Sequence, residues 1–500
     1  MRYYIAQRAS HSPPHDVVSY IVGILGRKNV RYLSYGALGS LILYLLFPSI
    51  NSAVAGVLGR ESSPKTTKRV DRYTTGLINV GNFCFANSSI QGLCSLDNLT
   101  KYLNAVYIAL EDVKRKGTRT DTRAIVHWAL TNLLADLQES ILSPRSKSIA
   151  PLVKALELAY RGRMSSNQND AHEFLQLMLE ALYNEYAVLS TMIPGHAFPF
   201  EGQMASNIVC LSCRRTSATT INPFLIYELV TPQRPSATVS DIISESQSEL
   251  IEGYSCLYCK VSLILENESR LSSMGVSNAY SAEEENILNY LRTHHDKLLI
   301  NEDIPAHIEY YINTYSRNGC QPSTLKSNIA RRTVITKPPR ALVIHLSRSN
   351  FNGMNYSRNP CNVHFQEILE LQVCDIKDNV LGESTTVKYT LKSVVKHTGT
   401  HYQGHYQCYR KKPNFVADVS SDPPTFVNQS VTLQYYGGER PTISTQPPAS
   451  VETRKMRKIK SVTHRPYWHI SDTSVKEARV ETVLGERKYV YMLFYDLVDS

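Results

Sequence analysis

The sequence predicts an α+β chain in which a helical first half leads into a β-rich second half, behind an N-terminal transmembrane helix. Three observations carry that expectation. Residues 76–190 repeat apolar side chains every three or four positions. Beyond residue 197 the pattern breaks into short β-like runs between polar turns, and no charge falls between Tyr32 and Gly59.

The uncharged run, "YLSYGALGSLILYLLFPSI", is long and apolar enough to span a bilayer. Basic residues bracket it: Arg27, Lys28 and Arg31 before, and Arg60, Lys65, Lys68, Arg69 and Arg72 after. A buried core helix does not carry such flanks, and a cleaved signal peptide would lie nearer the N-terminus. The N-terminal part therefore divides into a targeting or disordered segment (1–31), a transmembrane anchor (32–58) and a basic linker (59–75). The heavier positive charge after the anchor sets the bulk of the protein in the cytosol.

Composition narrows the function classes. The 500 residues are 42% hydrophobic and 20% charged, ordinary for globular protein. The net charge of +10 is spread along the chain without interleaved aromatics, so no nucleic-acid partner is expected. Ten cysteines are too few for a disulfide scaffold. Four of them form two C-x-x-C pairs, which points to metal and a reducing compartment.

Helices are expected over "AIVHWALTNLLADLQESIL" and "DAHEFLQLMLEALYNEY"; in the second, Phe174, Met178 and Leu182 share a face and Asp170 caps the N-terminus. Strands are expected over "SNIVC", "FLIYELV", "ALVIHLS", "KYTLKSVVKH" and "YVYMLFYDLV". These elements make one domain, 76–497. Two insertions interrupt it: residues 261–330, polar with one helix around "AEEENILNYLRTHHDKLL", and residues 411–465, a Pro-, Ser- and Thr-rich loop.

Within "GLINVGNFCFANSSIQGL", Cys84 follows a Gly-Asn turn and opens a helix. Free amides and the macrodipole there favour a thiolate, and the Cys84 N–H together with the Asn79 amide could serve an oxyanion. In "HTGTHYQGHYQCYRK", His405 stands where a strand begins and is the candidate base. A metal site built from His397, His401 and His405 would need a helix, which Gly399 and Gly404 oppose. The pairs Cys210/Cys213 and Cys256/Cys259 supply four thiolates for one structural zinc, with no open position for catalysis.

These stretches, with "NQNDAHEFLQ", "KPPRALVIHLSR" and "YTLKSVVKHTGTHYQGHYQCYR", resemble the ordered boxes of the ubiquitin-specific proteases. The resemblance implies a papain-like domain of thumb, palm and zinc-bearing fingers and a cysteine deubiquitinase activity. It implies Cys84 as nucleophile, His405 as base, Asn79 as oxyanion donor and Asp170 as a contact for the basic tail of ubiquitin. Phe83, Ala86 and Asn169 depart from the boxes without removing chemistry. The last triad position departs more: in "YWHISDTSV", Ser471 fills the slot that usually holds an acid, and Asp472 follows. Counting forward from Trp468 would choose Asp472; counting back from Val475 chooses Ser471, the assignment made here. A serine hydroxyl there can accept from Nδ1–H and fix the imidazole's tautomer. With the short fingers and the anchor, this set most resembles the family's mitochondrial outer-membrane member, acting on ubiquitinated membrane proteins. The alternative is a catalytically impaired ubiquitin receptor on the same fold.

Overall fold

The computed structural model describes residues 69–115, 124–162, 170–191, 195–275, 280–351, 353–377, 380–400, 403–418, 425–433 and 456–498. The expected targeting segment, the anchor and most of the linker lie outside them. Among the described residues no helix is long and apolar enough to cross a membrane.

The first half is helical, as the periodicity requires. Helix α1 (Cys84–Leu93) is buried along its whole length, polar residues included. It tolerates this because each polar side chain finds a partner: Ser88 and Ser89 return to Phe85 O, and Gln91 donates to Thr75 O. Gly92 lets the helix approach the sheet, since a Cβ there would fall 2.7 Å from the Phe494 ring. Around it pack α2 (Asp97–Arg115), α3 (Ile125–Gln138), α4 (Ala150–Tyr160) and α5 (Ala171–Leu189). Helix α3 has no side-chain cap of its own; Glu185 on α5 accepts from the N–H groups of Val126 and His127 instead. Asp170 caps α5 as expected, and Phe174, Met178 and Leu182 face one core with Phe85 and Ile90. Each such fully buried side chain contributes about 2 kcal/mol of transfer free energy.

The second half builds a twelve-stranded sheet whose strands are numbered here in chain order. They are β1 (Gly202–Cys210), β2 (Thr220–Phe224), β3 (Tyr227–Val230), β4 (Ser248–Tyr254), β5 (Ser327–Lys337) and β6 (Ala341–Ser347). They continue as β7 (Ile368–Lys377), β8 (Val380–Gly399), β9 (Gly404–Lys411), β10 (Tyr467–Ser471), β11 (Ser474–Ala478) and β12 (Val490–Leu497). The main path runs β11-β10-β9-β8-β7-β5-β1-β2. Off it, β12 pairs with both β8 and β6, β3 pairs with β6, and β4 pairs with β5. Strands β9 and β10 bring His405 and the closing box together at the foot of α1. The distant strands β1, β2, β4 and β5 form an extension that carries the cysteine pairs.

Both insertions hold more structure than expected. Residues 257–324 fold into three helices, α6 (Leu257–Ser273), α7 (Ala282–His294) and α8 (Ala306–Thr314), around a core of Val261, Ile264, Ile287, Leu288, Leu291, Ile308 and Ile312. Each helix contributes only a few apolar residues in a polar background, so no single window announces a helix; the core exists only when all three meet. In the second insertion, Phe415–Asp418, Thr425–Asn428 and Met456–Lys458 pair as a small sheet.

Candidate active site

Cys84 is the first residue of α1 and is 4% exposed. The loop before it turns at Gly81, which takes φ +78. Asn79 braces this loop: its Oδ1 accepts from Phe83 N at 2.9 Å and its Nδ2 donates to Asp472 Oδ2 at 3.0 Å. The expectation of a helix-activated thiolate is corrected by the balance of forces. Burial raises the thiol pKa most, and the Asp472 charge adds to it; the backbone N–H groups of Tyr406, Phe85 and Cys84 pull the other way and do not win. The helix head alone therefore does not favour the thiolate.

His405 lies on β9, one residue before Tyr406, whose backbone reaches Cys84. Its Nε2 stands 2.8 Å from Ser471 Oγ and 4.0 Å from Asp472 Oδ2. The serine contact therefore falls on Nε2, not on Nδ1 as expected. Adjacent strand residues would face opposite sides, but Asp472 has left the strand. It takes φ +50 in the two-residue turn between Ser471 and Ser474, and its carboxylate folds back toward the site. There it accepts from Asn79 and from Asn87 Nδ2 at 2.8 Å, while its carbonyl accepts from Leu77 N. Sequence reading missed Asn87; a buried polar residue one turn after Cys84 was the available signal.

Asp170 borders a cleft of about 200 Å³ with His172, His345, His397, Tyr406 and Tyr491. Its Oδ1 caps α5, and its Oδ2 accepts from Tyr491 Oη at 2.5 Å and Tyr406 Oη at 3.3 Å. His172, Glu228 and His345 come close enough to suggest a second metal site. They do not make one. The two imidazoles stack at 3.9 Å with planes 10° apart, so their in-plane lone pairs run parallel instead of converging on an ion.

Far along the sheet, Cys210 ends β1, Cys213 follows in its turn, Cys256 precedes α6 and Cys259 lies in its first turn. The four sulfurs lie within 4.8 Å of one another, with Cys210–Cys259 and Cys213–Cys256 each at 3.8 Å. Four ligands at a Zn–S distance of about 2.3 Å define a tetrahedron with edges of about 3.8 Å. The donors fit a closed structural zinc, and no catalytic cofactor is needed beside it.

A cysteine at a helix head, reached by the backbone of the residue after a histidine whose ring contacts a serine hydroxyl, is suited to acyl transfer through a thioester, so fold and site define a cysteine hydrolase. Comparison with known proteins narrows this. The family model described as ubiquitin carboxyl-terminal hydrolase matches residues 75–495. Ubiquitin carboxyl-terminal hydrolase 16 of Saccharomyces cerevisiae is 34% identical over 506 residues, covering 94% of this chain and 97% of its own. The protein of the same name from Emericella nidulans is 25% identical, covering 76% and 70%. Among solved structures, a SAGA DUB module bound to ubiquitin aldehyde has TM-score 0.49 and 17% identity, covering 90% of this chain and 76% of its own. The chain belongs to the ubiquitin carboxyl-terminal hydrolase family, the cysteine deubiquitinases.

Proposed function

We propose that this protein removes ubiquitin from proteins at a cytosol-facing membrane, cleaving the isopeptide bond after ubiquitin's C-terminal glycine. Cys84 is the nucleophile, His405 the base and acid, Ser471 the orienting third member and Asn79 an oxyanion donor. The 2.8 Å contact of His405 Nε2 with Ser471 Oγ carries this reading, because it leaves Nδ1 to receive the Cys84 proton.

Burial and the Asp472 charge oppose the thiolate, so attack needs a base to take the Cys84 proton. His405 takes the proton as Sγ bonds to the carbonyl carbon and the π pair moves to oxygen. That oxyanion accepts from the second Nδ2 hydrogen of Asn79 and from N–H groups at the head of α1. Collapse expels the lysine amine, which takes the proton from His405. Water then attacks the thioester with His405 again as base, releasing ubiquitin and the thiol. Asp170, at the rim of the cleft, is the contact for the basic tail that leads ubiquitin's terminus to Cys84. The anchor is residues 32–58, and resemblance assigns the mitochondrial outer membrane.

A ubiquitin probe with a C-terminal electrophile tests the reading on the full chain. Covalent capture mapped to Cys84, and lost in Cys84→Ala, is the expected result. Binding without capture would replace the enzyme by a ubiquitin receptor.

A further inference from the structure

On β9, His405, Gln407 and Tyr409 alternate onto one face; on β10, His469 and Ser471 do the same. The antiparallel register pairs Tyr409 with His469 and Cys408 with Ile470, which sets Gln407 across from Ser471. The side chains use that placement. Gln407 Nε2 donates to Ser471 Oγ at 3.3 Å, and Gln407 Oε1 lies 3.2 Å from His469 Nε2. His469 is itself clamped, its ring stacked on Tyr409 at 4.6 Å, and the Tyr409 hydroxyl donates to Glu486 at 2.7 Å. An unbroken chain of contacts therefore runs from the imidazole of His405 to an ion pair of Glu486 with Lys396.

The chemistry explains what such a chain is for. A carboxylate in the third position offers two oxygens and a charge, so most of its rotations still leave an acceptor on the imidazole. A serine offers one neutral oxygen that swings between three rotamers, of which one faces His405. Its hydroxyl is also ambivalent, able to donate as well as accept. A second partner on Oγ removes the rotational freedom. With the Gln407 amide on one lone pair, the other is directed at Nε2–H. The amide in turn holds its orientation only if something fixes Oε1. Burial pushes the His469 pKa down to about 4, so the ring is neutral in the working range and its single proton, placed on Nε2, answers Oε1.

We propose that Gln407 and His469 are a positioning pair that holds the Ser471 hydroxyl as an acceptor for His405, supplying through two neutral hydrogen bonds the orientation that a carboxylate supplies through charge. This rests on the reading of Ser471 as the third member. Neither residue touches substrate; both act through Ser471.

The test is steady-state cleavage of a fluorogenic C-terminal ubiquitin substrate by the full chain, with thermal melting as a control for folding. Gln407→Ala is expected to lower kcat about tenfold, as the loss of one polar contact does, with KM unchanged. His469→Phe, which keeps the stack on Tyr409 and removes the hydrogen bond, is expected to lower kcat about threefold. In a Ser471→Asp background the same two substitutions should cost nothing, because a carboxylate needs no positioning. A general structural role would lower kcat equally in both backgrounds, and that outcome overturns the pair, as does a fully active, folded Gln407→Ala. Full turnover by Ser471→Ala would instead overturn the underlying reading of the triad, and the pair with it.

Discussion

Asn79 donates to Asp472 Oδ2 at 3.0 Å across 393 residues of sequence, and the same carboxylate holds Asn87 on its other oxygen. One residue of the closing hairpin thus braces both the loop before Cys84 and the helix after it. Ser471, its neighbour, holds the imidazole instead. The two adjacent residues divide two tasks.

That division predicts different kinetics. Ser471→Ala should lower kcat by about 10- to 1000-fold with KM little changed, and Ser471→Asp should retain activity. Asp472→Ala removes the acceptor of two amides, leaving the buried Asn87 only Ile78 O at 3.4 Å, so it should lower the melting temperature as well as kcat, each lost partner costing about 1–3 kcal/mol. Asp472→Asn keeps one acceptor and should be milder on both counts. Normal turnover by Ser471→Ala beside a collapse in Asp472→Ala would mean that the carboxylate, 4.0 Å from Nε2, orients the ring.

The cysteine tetrad predicts one zinc per chain by elemental analysis. Cys256→Ser should unfold the extension carrying β1, β4, β5 and α6, since metal binding and folding are one equilibrium there. The melting temperature should fall on chelation, while the folded fraction keeps its rate constant for hydrolysis. A well-folded, metal-free, fully active protein would remove the zinc.

How much of this was legible beforehand depended on whether a feature is local. The stripe of Phe174, Met178 and Leu182, the Asp170 cap, the four zinc cysteines and the Cys84 turn lie within short windows, where periodicity and spacing speak directly. The thiol's protonation was misread because the helix N-terminus is visible in sequence, whereas the burial and the Asp472 charge that outweigh it come from 388 residues away in the chain, between positions 84 and 472. The choice of imidazole nitrogen was misread for a similar reason, since ring orientation is set by cross-strand register. The reversal of Asp472 rests on one positive φ in a hairpin, and the helical insertion rests on a core that no single helix contains.

Buried histidines predict acid sensitivity. His345 is 7% exposed, its ring nitrogens have no hydrogen-bond partner among the described residues, and burial, with His172 adding, pushes its pKa down to about 3. An unfolded histidine titrates near 6.5, so between about pH 6.5 and 3 the unfolded chain binds a proton that the folded one refuses. Stability from this group is complete above about pH 6.5 and is lost as pH falls, by about 2 kcal/mol at pH 5. Chemical denaturation from pH 7 to pH 5 should show that loss, and His345→Phe should flatten the slope. An unchanged slope would show that the ring protonates without penalty.

The last prediction concerns where the catalytic domain begins. Asp71 is fully buried; Arg69 Nη2 donates to it at 2.8 Å and Lys412 Nζ at 3.0 Å, while Trp468 Nε1 donates to its carbonyl oxygen. Burial works against the carboxylate, but the Arg69 and Lys412 bonds outweigh it and hold the pKa down to about 2. Lys412 has no exposed side-chain surface and shares its charge between Asp71 and Glu477. Arg69 and Asp71, in the last part of the expected linker, therefore belong to the folded domain, strapped to the strands that carry His405 and Ser471. Deleting residues 1–60 should release the protein from membranes and leave hydrolysis of a fluorogenic ubiquitin substrate intact. Deleting residues 1–72 should release it too, but it leaves a buried lysine with half its counter-charge, at a cost of about 3–5 kcal/mol, and should melt earlier and lose activity with the fold. Pelleting with membranes, melting temperature and kcat separate the outcomes. If the 1–60 deletion still pellets with membranes, the anchor is elsewhere; if the 1–72 deletion melts like the shorter one, the strap contributes nothing.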